Sequence, residues 1–479
     1  EPRPAPPAPA AAGTVPAPPA AGPAGRVFGR TALVTILVLA LIAALLGVLN
    51  AVQGPRLGGA VVNPVAATIR VGQRVVLEAN QPLAELDPAQ VRIEPAVPIE
   101  VSAQDNVVIV QFPGLLDYAT DYTVTAEVRS RATGAAGTLR HSFATPDVEV
   151  YSLVRSGAAE QDRIVRSTVT GAGEDEIVFQ APRIQEYAIQ NDMSLAVVLD
   201  EADRPSLQAT TFRDGVTTTL ATPPAESIRR LHIARGETLV GYLVDGPDAR
   251  GNRAQGTLHI YDLADPSGVA KEVLGPGGTP LSVMDWEFVP GTTSVVVQAA
   301  DQQMYVVDAV YGGEPVPLGQ HSELRGFLPG SVELIVADAL EGAIVDLRSG
   351  RETVLQLPQA QVDPSLYPGK VELLDPQRYV EMYVSFDAGG SGAYSSALYT
   401  TGPEGTRELY RPADADSRIQ DYCLSPNGEY LAVEVVPGGT APDGYPVVPG
   451  DAGATIFFVD VEDGAVSRGL AGMMPDWCR

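Results

Sequence analysis

From about residue 147 onward the chain repeats one theme, and this constrains its fold more than any other feature. A turn-flanked apolar strand is followed by a second strand, a third that often ends in Asp, and a fourth. The plainest copies are VMDWEFVPGTTSVVVQAADQQMYVVDAVYGGEPVPLG (283–319) and LRGFLPGSVELIVADALEGAIVDLRSGRETVLQL (324–357). A third, IQDYCLSPNGEYLAVEVV (419–436), continues into ATIFFVDVEDGAVSRGL (454–470). Weaker copies begin near Ile184, Ile228 and Val371. Starts roughly 40–55 residues apart have the period of a four-stranded β-propeller blade, which buries its faces only against its neighbours in a ring. Gly 48 and Pro 41 separate short Val, Ile, Leu and Tyr runs, the texture of an all-β protein. The rival, a string of two-sheet sandwiches, needs a longer repeat and leaves the recurring Asp-aromatic pair at strand starts without a reason.

Within the last copy, Ser425–Glu434 (SPNGEYLAVE) resembles the S-P-D-G-x-x-[IL]-[AV] segment of TolB-like, WD-repeat-like propellers. Gly428 would supply the positive-φ residue of the turn between the first two strands. Pro290-Gly291 and Pro329-Gly330 take that turn in other copies. The resemblance implies a propeller over residues 147–479. Six blades are visible between 184 and 470, and 148–181 adds three strands. Met474-Pro475-Asp476-Trp477-Cys478 reads as the opening of one more first strand, like Met284-Asp285-Trp286 and Gln420-Asp421-Tyr422-Cys423. The expectation is seven blades, the seventh built from both chain ends with its innermost strand from the C-terminus. Asp285, Trp286, Asp421, Tyr422, Asp476 and Trp477 then fall at equivalent places on inner strands. So do the two cysteines, Cys423 and Cys478, which this register predicts to be disulfide-bonded in an exported domain.

Export follows from Thr31 to Val52, TALVTILVLALIAALLGVLNAV, which carries no charge. As a helix it spans about 33 Å, enough for a hydrocarbon core of about 30 Å. Arg26 and Arg30 precede it and only Arg56 follows closely, so the N-terminus is expected in the cytoplasm and everything beyond residue 53 outside. The run is longer than a signal-peptide core and lacks a following A-x-A site. Residues 1–30, rich in Pro and Ala, are expected to form a disordered cytoplasmic tail, and 53–60 a linker. The expected location is thus the cell membrane, single-pass, with an extracellular ectodomain.

Between linker and propeller, residues 61–146 alternate strand-like runs and turns: ATIRVGQRVVLEAN, QVRIEPA, IEVSAQDNVVIVQF, DYTVTAEVRS and LRHSFATP. About seven short strands in so small a stretch argue for a β-sandwich. Asn63-Pro64, the run Leu116–Val124 (L-x-x-x-T-x-Y-x-V) and Phe143-Ala144-Thr145 resemble landmarks of the bacterial Ig-like domains of S-layer proteins. Such modules are mostly spacers or adhesion elements, with Tyr122 and Phe143 as core residues.

Catalytic chemistry has little to work with. His141, His232, His259 and His321 show no zinc spacing. Gly389-Gly390-Ser391-Gly392-Ala393 fails the nucleophile-elbow pattern at its last position, and Gly275-Pro276-Gly277-Gly278 lacks the Lys and helix of a phosphate loop. No cofactor is expected. Net charge is −27, with the acid excess beyond residue 56, which disfavours nucleic acid as a partner. Asp285, Asp421 and Asp476 could act as channel carboxylates of a carbohydrate-active enzyme, or could fasten backbone amides and fix blade geometry. The favoured expectation is a membrane-anchored binding or scaffold protein. Its propeller would recognise an envelope protein, peptide or glycan through the central face or the long loops at 245–256 and 437–453.

Overall fold

In the computed structural model the chain is almost wholly antiparallel sheet. Residues 30–43, 53–156, 160–248, 251–265, 267–329, 331–338, 341–386, 394–451 and 453–478 are described. Residues 30–43 form a helix, α1, about 21 Å long at the usual rise per residue. Eight of its large apolar side chains, from Leu33 to Ile42, are exposed. Among the described residues no helix is long and apolar enough to cross a membrane. The rest of the expected span, 44–52, and the tail at 1–29 lie outside the described residues.

The next unit is a two-sheet sandwich of seven strands: β1 (Leu57–Val61), β2 (Arg74–Ala79), β3 (Val91–Glu94), β4 (Glu100–Gln104), β5 (Val107–Gln111), β6 (Asp121–Arg129) and β7 (Ala136–Ala144). One sheet has the order β1-β2-β5-β4 and the other β3-β6-β7. Period-two alternation in β6 sends Tyr122, Val124, Ala126 and Val128 inward to meet Val75, Leu77, Val108 and Val110. Tyr122 sits opposite Phe143, with ring centroids 5.6 Å apart.

Two expectations need correction here. Residues 57–60 are strand, not linker: β1 pairs with β2. Gly54 and Gly137 let the entering chain lie against β7, since a Cβ at Gly54 would sit 1.8 Å from the Ala136 carbonyl oxygen. The run 67–80 is not one strand either, because a short helix, α2 (Pro64–Ile69), occupies its start. The Asn63 side chain caps the Ala66 amide, and Pro64 stands in the first turn, where its missing N–H costs nothing.

Beyond the sandwich the described residues form seven small sheets. Six have four strands in simple up-and-down order; they are called blades 2 to 7 here and open with the strands Ile184–Gln190, Ser227–Ile233, Val283–Phe288, Glu323–Phe327, Tyr367–Asp375 and Arg418–Leu424. Blade 1 has three strands, Glu149–Val154, Asp162–Thr168 and Glu176–Ala181. The first strands of blades 2 to 7 line a common channel, and that of blade 1 packs beside that of blade 2, so the sheets form a β-propeller.

Ring closure differs in detail from the expectation. The C-terminal segment does lie beside Glu149–Val154, but through a single bridge between Leu153 and Met473, with both N–H···O contacts at 2.9 Å. It then turns into a 3-10 helix, Asp476–Cys478, instead of continuing as a strand. Pro475 has no N–H to give a ladder, so pairing stops there. Cys423 and Cys478 form a disulfide with Cα atoms 5.3 Å apart, tying this last turn to the inner strand of blade 7.

Because blade strands alternate in direction, each inner strand begins on the face that carries the loop between strands two and three, here the upper face. The turn after the inner strand lies on the lower face. The sandwich docks below: Tyr118 N–H donates to Glu429 Oε2 at 2.7 Å and Asn427 Nδ2 to the Leu116 carbonyl at 3.2 Å, both acceptors or donors on blade 7's lower turn being those of the SPNGEYL motif. Tyr118 is buried, and Arg235 and Asp476 at the lower channel end act electrostatically on its hydroxyl.

Candidate functional site

A cavity of about 780 Å³ opens along the channel. Its walls come from one local irregularity used six times. In every blade from 2 to 7 the pairing of inner and second strands slips early in the inner strand: at Ile184/Glu186, Arg229/His232, Val283/Asp285, Leu324/Gly326, Pro368/Val371 and Ile419/Asp421. A bulge re-aims the side chain at its position. Here each bulge delivers a charged group to the cavity: Glu186, Arg230, Asp285, Arg325, Lys370 and Asp421. Arg230 adopts a φ of 52° to do so, and Gly326 a φ of 91°. Since the slips fall at the starts of inner strands, this ring lies toward the upper face, away from the sandwich.

The charges are cross-linked between blades. Arg230 Nη1 meets Asp285 Oδ1 of the next blade at 2.5 Å, and Lys370 Nζ meets Asp421 Oδ1 of the next blade at 2.8 Å. Lys370 also reaches Glu372 at 3.1 Å. Asp285 and Asp421 each accept from the following residue's amide, of Trp286 and Tyr422, at 2.8 Å. Those aromatics turn away from the channel and are fully buried between blades. A Cβ at Gly241 would lie 2.2 Å from the Trp286 ring, so only glycine leaves room for it. Tyr422 Oη donates to the carbonyls of Lys370 and Val380 in blade 6.

Asp476 does not join Asp285 and Asp421 in this cavity. On its 3-10 turn it accepts from the Tyr151 amide at 2.8 Å and lines a separate cavity of about 160 Å³ at the lower end, with Arg235 and Gln190. The three Asp residues are therefore not one constellation. Trp477 is buried against Phe458, ring centroids 5.4 Å apart.

Enclosure by the propeller walls shapes the ionisation. Burial, reinforced by Asp285, pushes Glu287 up to about 7, although its side chain remains 37% open to the channel. Burial likewise lifts Asp476 to about 6 against the pull of Arg235. Asp285 and Glu372 are raised by burial even with Arg230 and Lys370 beside them. For Lys370 burial favours the neutral form, but Glu372 and Asp421 outweigh it and leave the ammonium above its ordinary range.

The upper mouth is walled on one side by residues 437–451 of blade 7, which place Val447 and Val448 in the cavity lining. This loop is pinned to blade 1. Arg155 Nη1 meets Asp443 Oδ2 at 2.5 Å, with side chains 3% and 6% exposed. The Arg155 guanidinium lies 3.7 Å from the centre of the Tyr445 ring, and Tyr445 Oη donates to Asp162. Residues 245–248 and 251–256, by contrast, belong to the end of a long hairpin whose Asp245 holds Ser227, Arg229 and the Gly256 amide. Among the histidines, His232 alone lines the cavity, its ring tilted against Trp286 with centroids 4.9 Å apart. Among the described residues no cluster of His, Cys, Asp and Glu has metal-binding geometry.

No family model matches the chain, and no curated protein matches it. Solved structures with partial likeness include a putative 6-phosphogluconolactonase from Bacteroides uniformis, at 13% identity, 68% of this chain, 97% of that one and a TM-score of 0.42. A dihydro-heme d1 dehydrogenase gives 14%, 68%, 74% and 0.40, and TolB from Acinetobacter baumannii 14%, 62%, 79% and 0.35. Likeness at this level carries no functional argument, so the propeller assignment rests on the chain's own sheets.

Proposed function

We propose that this chain is a membrane-anchored, extracytoplasmic recognition protein whose propeller binds an envelope molecule at the upper channel mouth. The observation that carries the reading is the ring of six charged side chains, delivered by six bulges into one cavity on the face opposite the docked sandwich. The sandwich, read as a bacterial Ig-like spacer over 57–146, would hold that mouth away from the bilayer. Residues 31–52 would be the anchor, and the exposed apolar side chains of α1 support this. The carbohydrate-active alternative is less well supported, because Asp285 and Asp421 are each held by a neighbouring blade's cation and by a strand amide. Such engagement suits fasteners of the ring.

The test is a crosslinked pull-down of the full chain from intact cells, beside an anchor-only control and a Glu323→Arg variant. Glu323 lies at the mouth with an exposed side chain. One envelope component recovered with the wild type and lost with Glu323→Arg supports the reading. Recovery equal to the anchor-only control overturns it.

A further inference from the structure

The inventory of the mouth narrows what it can take. Seven carboxylates line the cavity against four basic side chains. All four bases are already engaged: Arg229 by Asp245 at 3.2 Å, Arg230 by Asp285, Arg325 by Glu323 at 2.8 Å, and Lys370 by Glu372 and Asp421. An anionic ligand would have to break these pairs and enter an acidic channel. Glu287 stands apart. Its one ionic neighbour among the described residues is His232, whose Nδ1 lies 4.0 Å away, at the outer limit of an ion pair. It accepts no hydrogen bond from the described residues, yet it faces the cavity.

A second, independent feature lies on the upper face of blade 6. Tyr367, Phe386 and Tyr394 are 59%, 60% and 38% exposed. Their rings pack on one another, with centroids 5.2 Å apart for Tyr367–Phe386 and 6.2 Å for Phe386–Tyr394. Tyr367 lies on blade 6's inner strand two residues before Gly369, which lines the cavity. Exposed rings in contact offer apolar area and negative ring faces at once. Among the described residues nothing requires three large aromatics in water.

We propose that the channel takes a lysine- or arginine-bearing peptide segment of its partner, the cation reaching down past Asp285 to Glu287 and the flanking residues resting on Tyr367, Phe386 and Tyr394 at the upper face. This rests on the reading of the mouth as the recognition surface and supplies its ligand class. A carboxylate with no cation of its own beside exposed rings suits a positive charge carried on a chain that also brings apolar side chains. The groups that act on Glu287 are Asp285 and Glu372, which oppose its ionisation, and Arg230, Arg235 and His232, which favour it when charged. An arriving cation joins the second set, so binding releases a proton near neutral pH and strengthens as pH rises.

The test is calorimetric titration of the full chain in non-ionic detergent with trilysine, trinorleucine and triglutamate, at pH 6 and pH 8. Trilysine is expected to bind more tightly at pH 8, with proton release seen as a dependence on buffer ionisation heat, while the other two peptides do not bind. Glu287→Gln should weaken trilysine about tenfold or more, the loss typical of one charge-assisted contact, and flatten the pH dependence. Phe386→Ala, at an exposed position, should weaken it with the pH dependence intact. Absence of trilysine binding, equal binding of trinorleucine, or an unchanged pH profile in Glu287→Gln overturns the proposal. If trilysine fails while Glu323→Arg still abolishes capture from cells, the ligand class falls and the recognition surface stands. If both fail, the surface falls too.

Discussion

Replacing Cys478 with Ser removes the only covalent tie on the last turn of the ring. The bridge spans 55 residues of sequence, and loop-closure entropy for that separation amounts to about 4 kcal/mol at 25 °C. The turn it holds is otherwise fixed by the Leu153–Met473 bridge, the Asp476–Tyr151 contact and the buried Trp477. A domain of more than 300 residues shifts by about 2 °C per kcal/mol, the low end of the usual range, which gives a fall of about 8 °C. The assay is thermal unfolding by circular dichroism without reductant, for wild type, Cys478→Ser and the double variant Cys423→Ser/Cys478→Ser. Both variants should fall by the same amount, and reductant should bring the wild type to meet them. A shift below about 1 °C would show that Trp477 and the Met473 bridge hold the C-terminus unaided, and would refute the entropic argument.

Three further outcomes follow from the geometry. Asp443→Asn leaves the Arg155 guanidinium buried without its counter-charge and should destabilise the propeller by about 3–5 kcal/mol in urea unfolding, with early protease cleavage within 437–451; unaltered cleavage would contradict the pinning. Glu429→Ala removes the acceptor of the Tyr118 amide, worth about 1.5–3 kcal/mol for a charged partner, and should speed hydrogen exchange at residues 116–119 while the blade strands stay protected. Glu287 is lifted by burial from 4.5 to about 7, so the folded state holds its proton more tightly than the unfolded one. Stability from this group is present below about pH 4.5 and is lost as pH rises through about 7, with Asp476 acting in the same sense up to about 6. The melting temperature of Glu287→Gln relative to wild type should therefore rise between pH 5 and pH 8; a constant difference would show that Glu287 is not held protonated.

The repeat was legible because blades 4, 5 and 7 announce themselves locally, with an apolar strand, a Pro-Gly or Asn-Gly turn and a second strand. The cysteine pair was legible through the same register, since both residues follow an Asp-aromatic step. The charged ring was only partly visible, through Asp285 and Asp421, because its six positions carry both signs and four residue types. Counting back five residues from the turn position at Asn191, Arg235, Pro290, Asp375 and Pro426 lands on Glu186, Arg230, Asp285, Lys370 and Asp421. That spacing finds five of the six members; in blade 5, counting back from Pro329 lands on Leu324, one residue short of Arg325. Asp476 shares the local Asp-Trp-Cys pattern but not the environment, because Pro475 ends the pairing that would have set its direction. Asn63-Pro64 is a helix start that the apolar run after it disguised as strand. The Arg155–Asp443–Tyr445 cluster leaves no local trace at all, since its members meet only once the ring has closed.

The measurement closest to the central claim places a photo-crosslinking residue either at Arg325, on the upper mouth, or at Thr292, on the lower turn of blade 4. Full-length protein carrying each is irradiated on intact cells. A discrete adduct from position 325, absent from 292 and lost on adding excess trilysine, is the result the account predicts. Adducts equal at the two positions, or confined to 292, would contradict it and move recognition off the channel mouth.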